Sequence, residues 1–185
     1  MTGFYFTLLA VLVASLGGRD QATVAGLVLR QGARPGVLIA GIAVSIATAA
    51  FAAWAAVLVA PTLVPKARLI MAAMALVFAG GEALLIAPRR RPEEPTASLG
   101  ALTIVLAAHQ LTDAARFLVF ALAVATAAPV PAGIAGAVGG AVLLAAAWTA
   151  PEAIAHPRTQ LIRRLLGAAM LMLAAFVALR AFGRI

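Results

Sequence analysis

Long apolar runs alternate along this chain with short polar or proline-marked interruptions, and the runs have the length a bilayer demands. About 20 consecutive apolar residues carry a helix across the hydrocarbon. Segments 4–29, 37–60, 68–87, 99–125, 132–150 and 161–181 meet or approach that length. Proline and basic residues separate them at 30–35, 61–66, 88–95, 129–131 and 151–158. The pattern predicts an all-α polytopic membrane protein with six transmembrane helices. Its longest hydrophilic stretch, Arg89-Arg90-Arg91-Pro92-Glu93-Glu94-Pro95, falls near the middle. It predicts two three-helix units, 1–88 and 98–185, joined by a basic, proline-rich linker at 89–97.

The two units look alike. Ala40-Gly41-Ile42-Ala43 recurs as Ala132-Gly133-Ile134-Ala135, Trp54 as Trp148, and Leu69-Ile70 as Leu161-Ile162. Ala72-Ala73-Met74 recurs as Ala168-Ala169-Met170, and Asp20 is matched with Asp113. Three spans is an odd number, so the second unit must enter the membrane from the opposite side. The expectation is a 3+3 inverted-topology repeat, an architecture whose binding site commonly lies near the midplane between halves.

Composition fixes the solvent. The chain is 64% hydrophobic and only 11% charged, with a mean hydropathy of +1.08. A soluble domain is about half apolar and about a quarter charged, so lipid is the expected partner. The net charge of +8 lies mostly between spans, where it suits phospholipid head groups, and no nucleic-acid partner is implied. Arg30, Arg34, Arg89, Arg90, Arg91, Arg158, Arg163 and Arg164 follow spans one, three and five, against Lys66, Arg68, Arg180 and Arg184 on the other side. The excess places the first group, and with it the central linker, on the cytoplasmic face of a bacterial inner membrane, with both termini outside. The first apolar run lacks a basic residue before Phe4 and is followed by five more spans, so it reads as a span rather than a cleaved leader.

No cysteine is present, and His109 and His156 are the only histidines. A thiolate metal site is excluded and a zinc cluster is not expected. There is no HExxH, no nucleotide-binding glycine loop and no assembled set of nucleophile and base, so neither an enzyme nor a resident cofactor is expected.

Chemistry concentrates in two polar clusters inside the apolar runs, where each charge costs roughly 2.5–3.5 kcal/mol on insertion scales. The first is Ser15-Leu16-Gly17-Gly18-Arg19-Asp20-Gln21; the second runs from His109 through Gln110, Thr112 and Asp113 to Arg116. Gly17 and Gly18 weaken the helix and loosen backbone groups that can line a cavity. Read as a continuous helix, the second cluster sets His109, Asp113 and Arg116 on one face by their i,i+4 and i,i+3 spacings. Such a set can take up and release a proton. Oxygen donors from Asp20, Gln21, Gln110, Thr112 and Asp113 suit a hard cation such as Mn²⁺ or Ca²⁺. Asp20 and Asp113 are the candidate metal ligands, and Asp113 is the candidate coupling carboxylate. Glu82, after Gly80-Gly81 in span three, belongs either to the pathway or to a helix interface. The alternative for all these charges is structural: Asp113 with Arg116, and Asp20 with Arg19 or Arg116, as neutralised pairs that lock helices, with His109 as interhelical hydrogen-bonding glue.

The six-span plan and these clusters resemble the Gdt-type family of cation/proton antiporters, which includes Golgi manganese and calcium transporters. That family carries a Glu-x-Gly-Asp-(Lys/Arg)-(Thr/Ser) motif in spans one and four. Leu16, Gly17, Arg19 and Gln21 fit the first copy, with Ser15, Gly18 and Asp20 at its glutamate, aspartate and hydroxyl positions. In the second, Asp113 fits the aspartate, Gln110 replaces the glutamate, Thr112 the glycine, and Ala114 and Ala115 the basic and hydroxyl residues. The resemblance implies exchange of Mn²⁺ or Ca²⁺ for protons at a site shared by both motifs. Two other functions stay open: export of a small organic solute held by Arg19 and Arg116, or a non-transporting membrane scaffold.

Overall fold

A computed structural model describes residues 2–87 and 98–184. The predicted linker at 89–97 lies outside the described residues. All regular structure in the described residues is helical: α1 Thr2–Ser15, α2 Arg19–Gln31, α3 Pro35–Val59, α4 Pro65–Leu85, α5 Leu99–Leu111, α6 Ala114–Thr126, α7 Pro129–Thr149, the single turn α8 Pro151–Ala155, and α9 Pro157–Ala181. A 3-10 turn, Ala60–Thr62, extends α3. Four helices (α3, α4, α7 and α9) are long and apolar enough to cross a membrane, and the number becomes six if each bent pair, α1–α2 and α5–α6, is one span.

The helix starts follow proline chemistry. Pro35, Pro65, Pro129 and Pro157 each occupy the first turn of their helix, where the missing N–H costs nothing and the fixed φ is already helical. The apolar runs were expected to begin two to four residues later because the prolines read as punctuation. In fact they open the helices.

Small residues set the packing, as expected where apolar burial alone does not draw helices together in lipid. The glycines of α7 let it approach three neighbours: Gly133 lies against Ala53 of α3, Gly136 against Val119 of α6, and Gly139 against Val11 of α1. A Cβ on Gly80 of α4 would come within 2.7 Å of the Gly167 carbonyl of α9, so those two backbones nearly touch. Large apolar side chains such as Ile39, Phe51, Trp54, Phe78 and Leu173 point outward and are about half exposed or more. That is the reverse of a water-soluble surface and fits lipid as the neighbour.

Contacts between helix ends define two ends of the bundle. Gly3 meets Thr126 and Ala128, and Lys66 lies 5.0 Å from the Phe182 ring; this is the terminal end. Gly36 meets Leu99, and the Trp148 indole N–H donates to the Arg34 carbonyl at 3.3 Å; this is the linker end. The α1–α2 pair therefore runs from the terminal end to the linker end, and α5–α6 runs back. Arg30, Arg34 and Arg158 sit at the linker end and Lys66, Arg68, Arg180 and Arg184 at the terminal end, the sorting expected from the sequence. Arg163 departs from it, because it is buried within the bundle.

Candidate functional site

Both bent pairs break at the polar clusters. α1 and α2 meet at 57° across Leu16, Gly17 and Gly18, and α5 and α6 at 53° across Thr112 and Asp113. The first break needs glycine: Gly17 has φ +66°, a conformation that costs a side chain roughly 1–2 kcal/mol. Gln21 seals it, accepting from the Gly17 N–H at 2.6 Å while its own amide N–H donates to the Leu143 carbonyl of α7 at 2.9 Å. Gly18 and Asp113 occupy the same N-cap position of α2 and α6. By local geometry, Gly18 rather than Asp20 is the counterpart of Asp113.

The second break corrects one expectation. His109 belongs to α5 and Arg116 to α6, with the chain redirected between them. His109, Asp113 and Arg116 therefore do not share a continuous helix face. Asp113 instead caps α6, its Oδ1 accepting from the Ala115 N–H at 3.4 Å.

A helix that restarts inside a bundle exposes amide N–H groups with no partner in the preceding turn. Carboxylates fill that need at both breaks. Asp20 Oδ1 accepts from the Gln21 N–H at 2.8 Å, and Glu82 Oε2 of α4 accepts from the Ala114 N–H of α6 at 3.1 Å. Glu82 also receives two guanidinium groups, Arg19 at 3.5 Å and Arg163 at 3.8 Å. Arg19 donates further to the Thr112 carbonyl at 3.3 Å, and Arg163 to the carbonyls of Ile86 and Glu82. One carboxylate thus ties α4 to both breaks and to α9. Glu82 is therefore in contact with both polar clusters.

A second network lies deeper. Arg116 donates to the Gly136 carbonyl at 3.1 Å, to Ser45 Oγ at 2.9 Å and to Gln110 Oε1 at 3.0 Å. Gln110 Oε1 also accepts from Thr48 at 2.9 Å, and its Nε2 donates to Asp20 Oδ2 at 3.4 Å. Gln110 is a second bridge between the two clusters, linking Arg116 on α6 to Asp20 on α2. Neither Asp20 nor Asp113 forms an ion pair among the described residues. The structural alternative, Asp113 paired with Arg116 and Asp20 with Arg19 or Arg116, is not met by a direct ion pair among the described residues: Arg19 goes to Glu82, and Arg116 donates to neutral oxygens. His109 keeps a buried Nδ1 without a hydrogen-bond partner, and Ser15 is buried at the end of α1.

Three of these residues were not singled out from the sequence. Ser45 and Thr48 were legible as a polar i,i+3 pair in an apolar span. Arg163 was counted as a loop charge, and only packing of α9 on α4 shows that it turns inward. Its removal from the linker-end count weakens, without reversing, the charge excess behind the expected orientation.

An open cavity of about 600 Å³ reaches this region. Val77, Phe78, Gly81, Glu82, Leu85 and Ile86 of the α4 end and Leu111, Thr112, Asp113, Ala114 and Phe117 around the second break line it. It exists because α4 and α5 make almost no contact, whereas α4 and α6 pack closely. Near the first break, the space beside Gly17 is nearly filled by Ile154 and Ala155 of the α8 turn with Thr159 and Gln160 of α9. The bent pairs are unequal in another way: α1 packs closely on α6, while α2 and α5 touch only lightly.

Among the described residues, no three His, Cys, Asp or Glu side chains lie together as a metal site would require. No family model matches this chain, and neither a curated protein nor a solved structure matches it.

Proposed function

We propose that this chain is an integral-membrane secondary transporter that exchanges a cation for protons, with its three-span halves arranged as inverted repeats. One observation carries the reading: a cavity about 600 Å³ in volume ends on Asp113, a carboxylate without an ion pair at the break of a bent helix pair. Broken spans at membrane depth are tolerated where they are buried in protein or line an aqueous cavity, and in transporters they commonly form the substrate site. The opposed directions of α1–α2 and α5–α6, with matching cap positions at Gly18 and Asp113, support the inverted repeat. Close packing of α1 on α6, against the light α2–α5 contact, supports a bundle closed toward the terminal end and open toward the linker end.

In this mechanism Asp113 exchanges its proton for the cation that enters the cavity. Gln110 ties Asp20 to Arg116, which supplies a fixed positive charge at the bundle centre. The resemblance to the Gdt-type antiporters makes Mn²⁺ and Ca²⁺ the first ions to test, with Asp20 and Asp113 as carboxylate donors and Gln21, Gln110 and Thr112 as neutral oxygen donors. Those donors would have to draw together as the spans move, since no such cluster is assembled among the described residues. The test is Mn²⁺ and Ca²⁺ flux in proteoliposomes under an imposed pH gradient, wild type beside Asp113→Asn. Flux that requires both the gradient and Asp113 supports exchange.

A scaffold without transport is favoured by a different observation, that Asp20, Asp113 and Glu82 all accept from amides of restarting helices. It predicts that Asp113→Asn, which keeps an acceptor oxygen for the Ala115 N–H, changes nothing measurable. Export of an organic anion has less support, because Arg116 is engaged by Gly136, Ser45 and Gln110, and Arg19 by Glu82 and Thr112.

A further inference from the structure

The cavity that ends on Asp113 is walled by hydrocarbon, and this bears on what enters it. Val77, Phe78, Leu85, Ile86, Leu111 and Phe117 make up most of its surface, and all but Phe117 are also exposed on the outer face, so the cavity opens toward the lipid. Phe78 and Phe117 face each other across α4 and α6 with ring centroids 5.7 Å apart. A bare or hydrated metal ion takes oxygen ligands and gains nothing from such walls. An organic cation gains from both parts: its apolar body buries against the aliphatic groups, and its charge interacts with aromatic faces and the carboxylate. A volume of about 600 Å³ is within the range of small-molecule sites.

Charge sets the valence. Glu82 is held by Arg19 and Arg163, so of the two carboxylates lining the cavity only Asp113 forms no direct ion pair. Counted together, Arg19, Arg116 and Arg163 balance Asp20, Glu82 and Asp113. With Asp113 ionised these charges sum to zero, and one bound monocation leaves the site with the same net charge as one proton on Asp113. A dication would require a second proton from a second unpaired carboxylate in the cavity, and Asp20, the other carboxylate without an ion pair, does not line it.

We infer that the cavity between α4 and the α5–α6 break binds a lipophilic, singly charged organic cation, its charge on Asp113 and its body between Phe78, Phe117 and the α4 end. This rests on the exchange reading above and names its substrate class. The organic cation lies against Asp113 as counter-ion to its carboxylate.

Gly81 gives a clean way to occupy the cavity. It lines the space, and a Cβ built there meets nothing within 4 Å, so Gly81→Leu adds side-chain volume from an open position at the cavity wall. The experiment measures ethidium binding by fluorescence anisotropy in detergent-solubilised full-length protein, with Mn²⁺ as competitor, followed by ethidium-dependent proton release from proteoliposomes. Wild type, Asp113→Asn and Gly81→Leu are compared after each is shown to be folded by its thermal transition. The expected result is saturable binding that Mn²⁺ does not displace, weakened by about tenfold or more in each variant, the scale of one lost ion pair in a partly dry site. Absent binding, or binding equal in all three proteins, overturns the inference. Proton-coupled Mn²⁺ flux without ethidium binding overturns it too, while leaving exchange itself standing. Ethidium binding that depends on Asp113 and Gly81, with no proton release, supports the site and removes exchange. Should Asp113→Asn fail to fold, Gly81→Leu decides alone.

Discussion

At the scale of single residues, the two breaks are held by different chemistry, and each suggests its own substitution. Gly17 has a left-handed backbone that a side chain adopts at a cost of roughly 1–2 kcal/mol, and a Cβ there would also press on Thr159 at 3.3 Å. Gly17→Ala is therefore expected to lower the thermal midpoint, with a loss near 1 kcal/mol. Gly140 is a second sensitive position, since a Cβ there would collide with Ser45 Oγ and lie 2.8 Å from Arg116 Nη2. Gly140→Val should displace the guanidinium from Ser45 and cost about 1–3 kcal/mol as an overpacked core does. If thermal unfolding in detergent shows no change for Gly140→Val, the assigned anchoring of Arg116 is wrong. The sequence made most of these polar residues visible because buried charge is conspicuous in an alanine-rich chain. It could not show partners. Arg19 and Asp20 are adjacent, yet one pairs with Glu82 of α4 and the other reaches Gln110 of α5.

At the scale of elements, the four long apolar helices were legible because hydropathy and length determine them, whereas bends and neighbours were not. The i,i+4 pattern of His109 and Asp113 assumes an unbroken helix, and nothing so plain as the paired glycines of the first cluster announces a stop at Leu111. Thr112 and Asp113 end that helix by hydrogen-bonding locally, the habit that makes such residues good caps. One close helix crossing was equally hidden. Gly80 and Gly167 look like any other glycines until α4 and α9 are seen to approach backbone to backbone. Gly80→Leu must push against the Gly167 carbonyl and Leu171, so its expected effect is a large loss of folded protein. Its neighbour Gly81→Leu meets open space and should leave folding intact while closing the cavity. Comparing folded yield and thermal midpoint of this adjacent pair tests the α4–α9 packing: equal behaviour would contradict it.

At the scale of the whole molecule, the membrane supplies the solvent and the bundle supplies the exceptions to it. Apolar side chains cover the outside, while three arginines and three carboxylates gather inside, a balance that lets so many charges share one interior. Orientation is a separate question, open to a direct test because the chain has no cysteine. Single cysteines at Gln31 and Glu152 should react with an impermeant thiol reagent from the cytoplasmic side, and cysteines at Thr62 and Arg184 from the other. The same face labelling all four would contradict the alternating ends of the bundle. Access to Asp113 should also be one-sided. In the arrangement described, the cavity opens between α4 and α5, while the α1–α6 contact closes the opposite end.

Exchange through Asp113 is the central claim, and proton movement reads it most directly. A pH dye trapped in proteoliposomes would follow proton release when Mn²⁺, Ca²⁺ or ethidium is added to wild type, Asp113→Asn and Gly81→Leu. Cation-dependent release in the wild type that disappears in both variants is the expected result. Release that persists in folded Asp113→Asn protein, or no release from the wild type with any of the three cations, would contradict it.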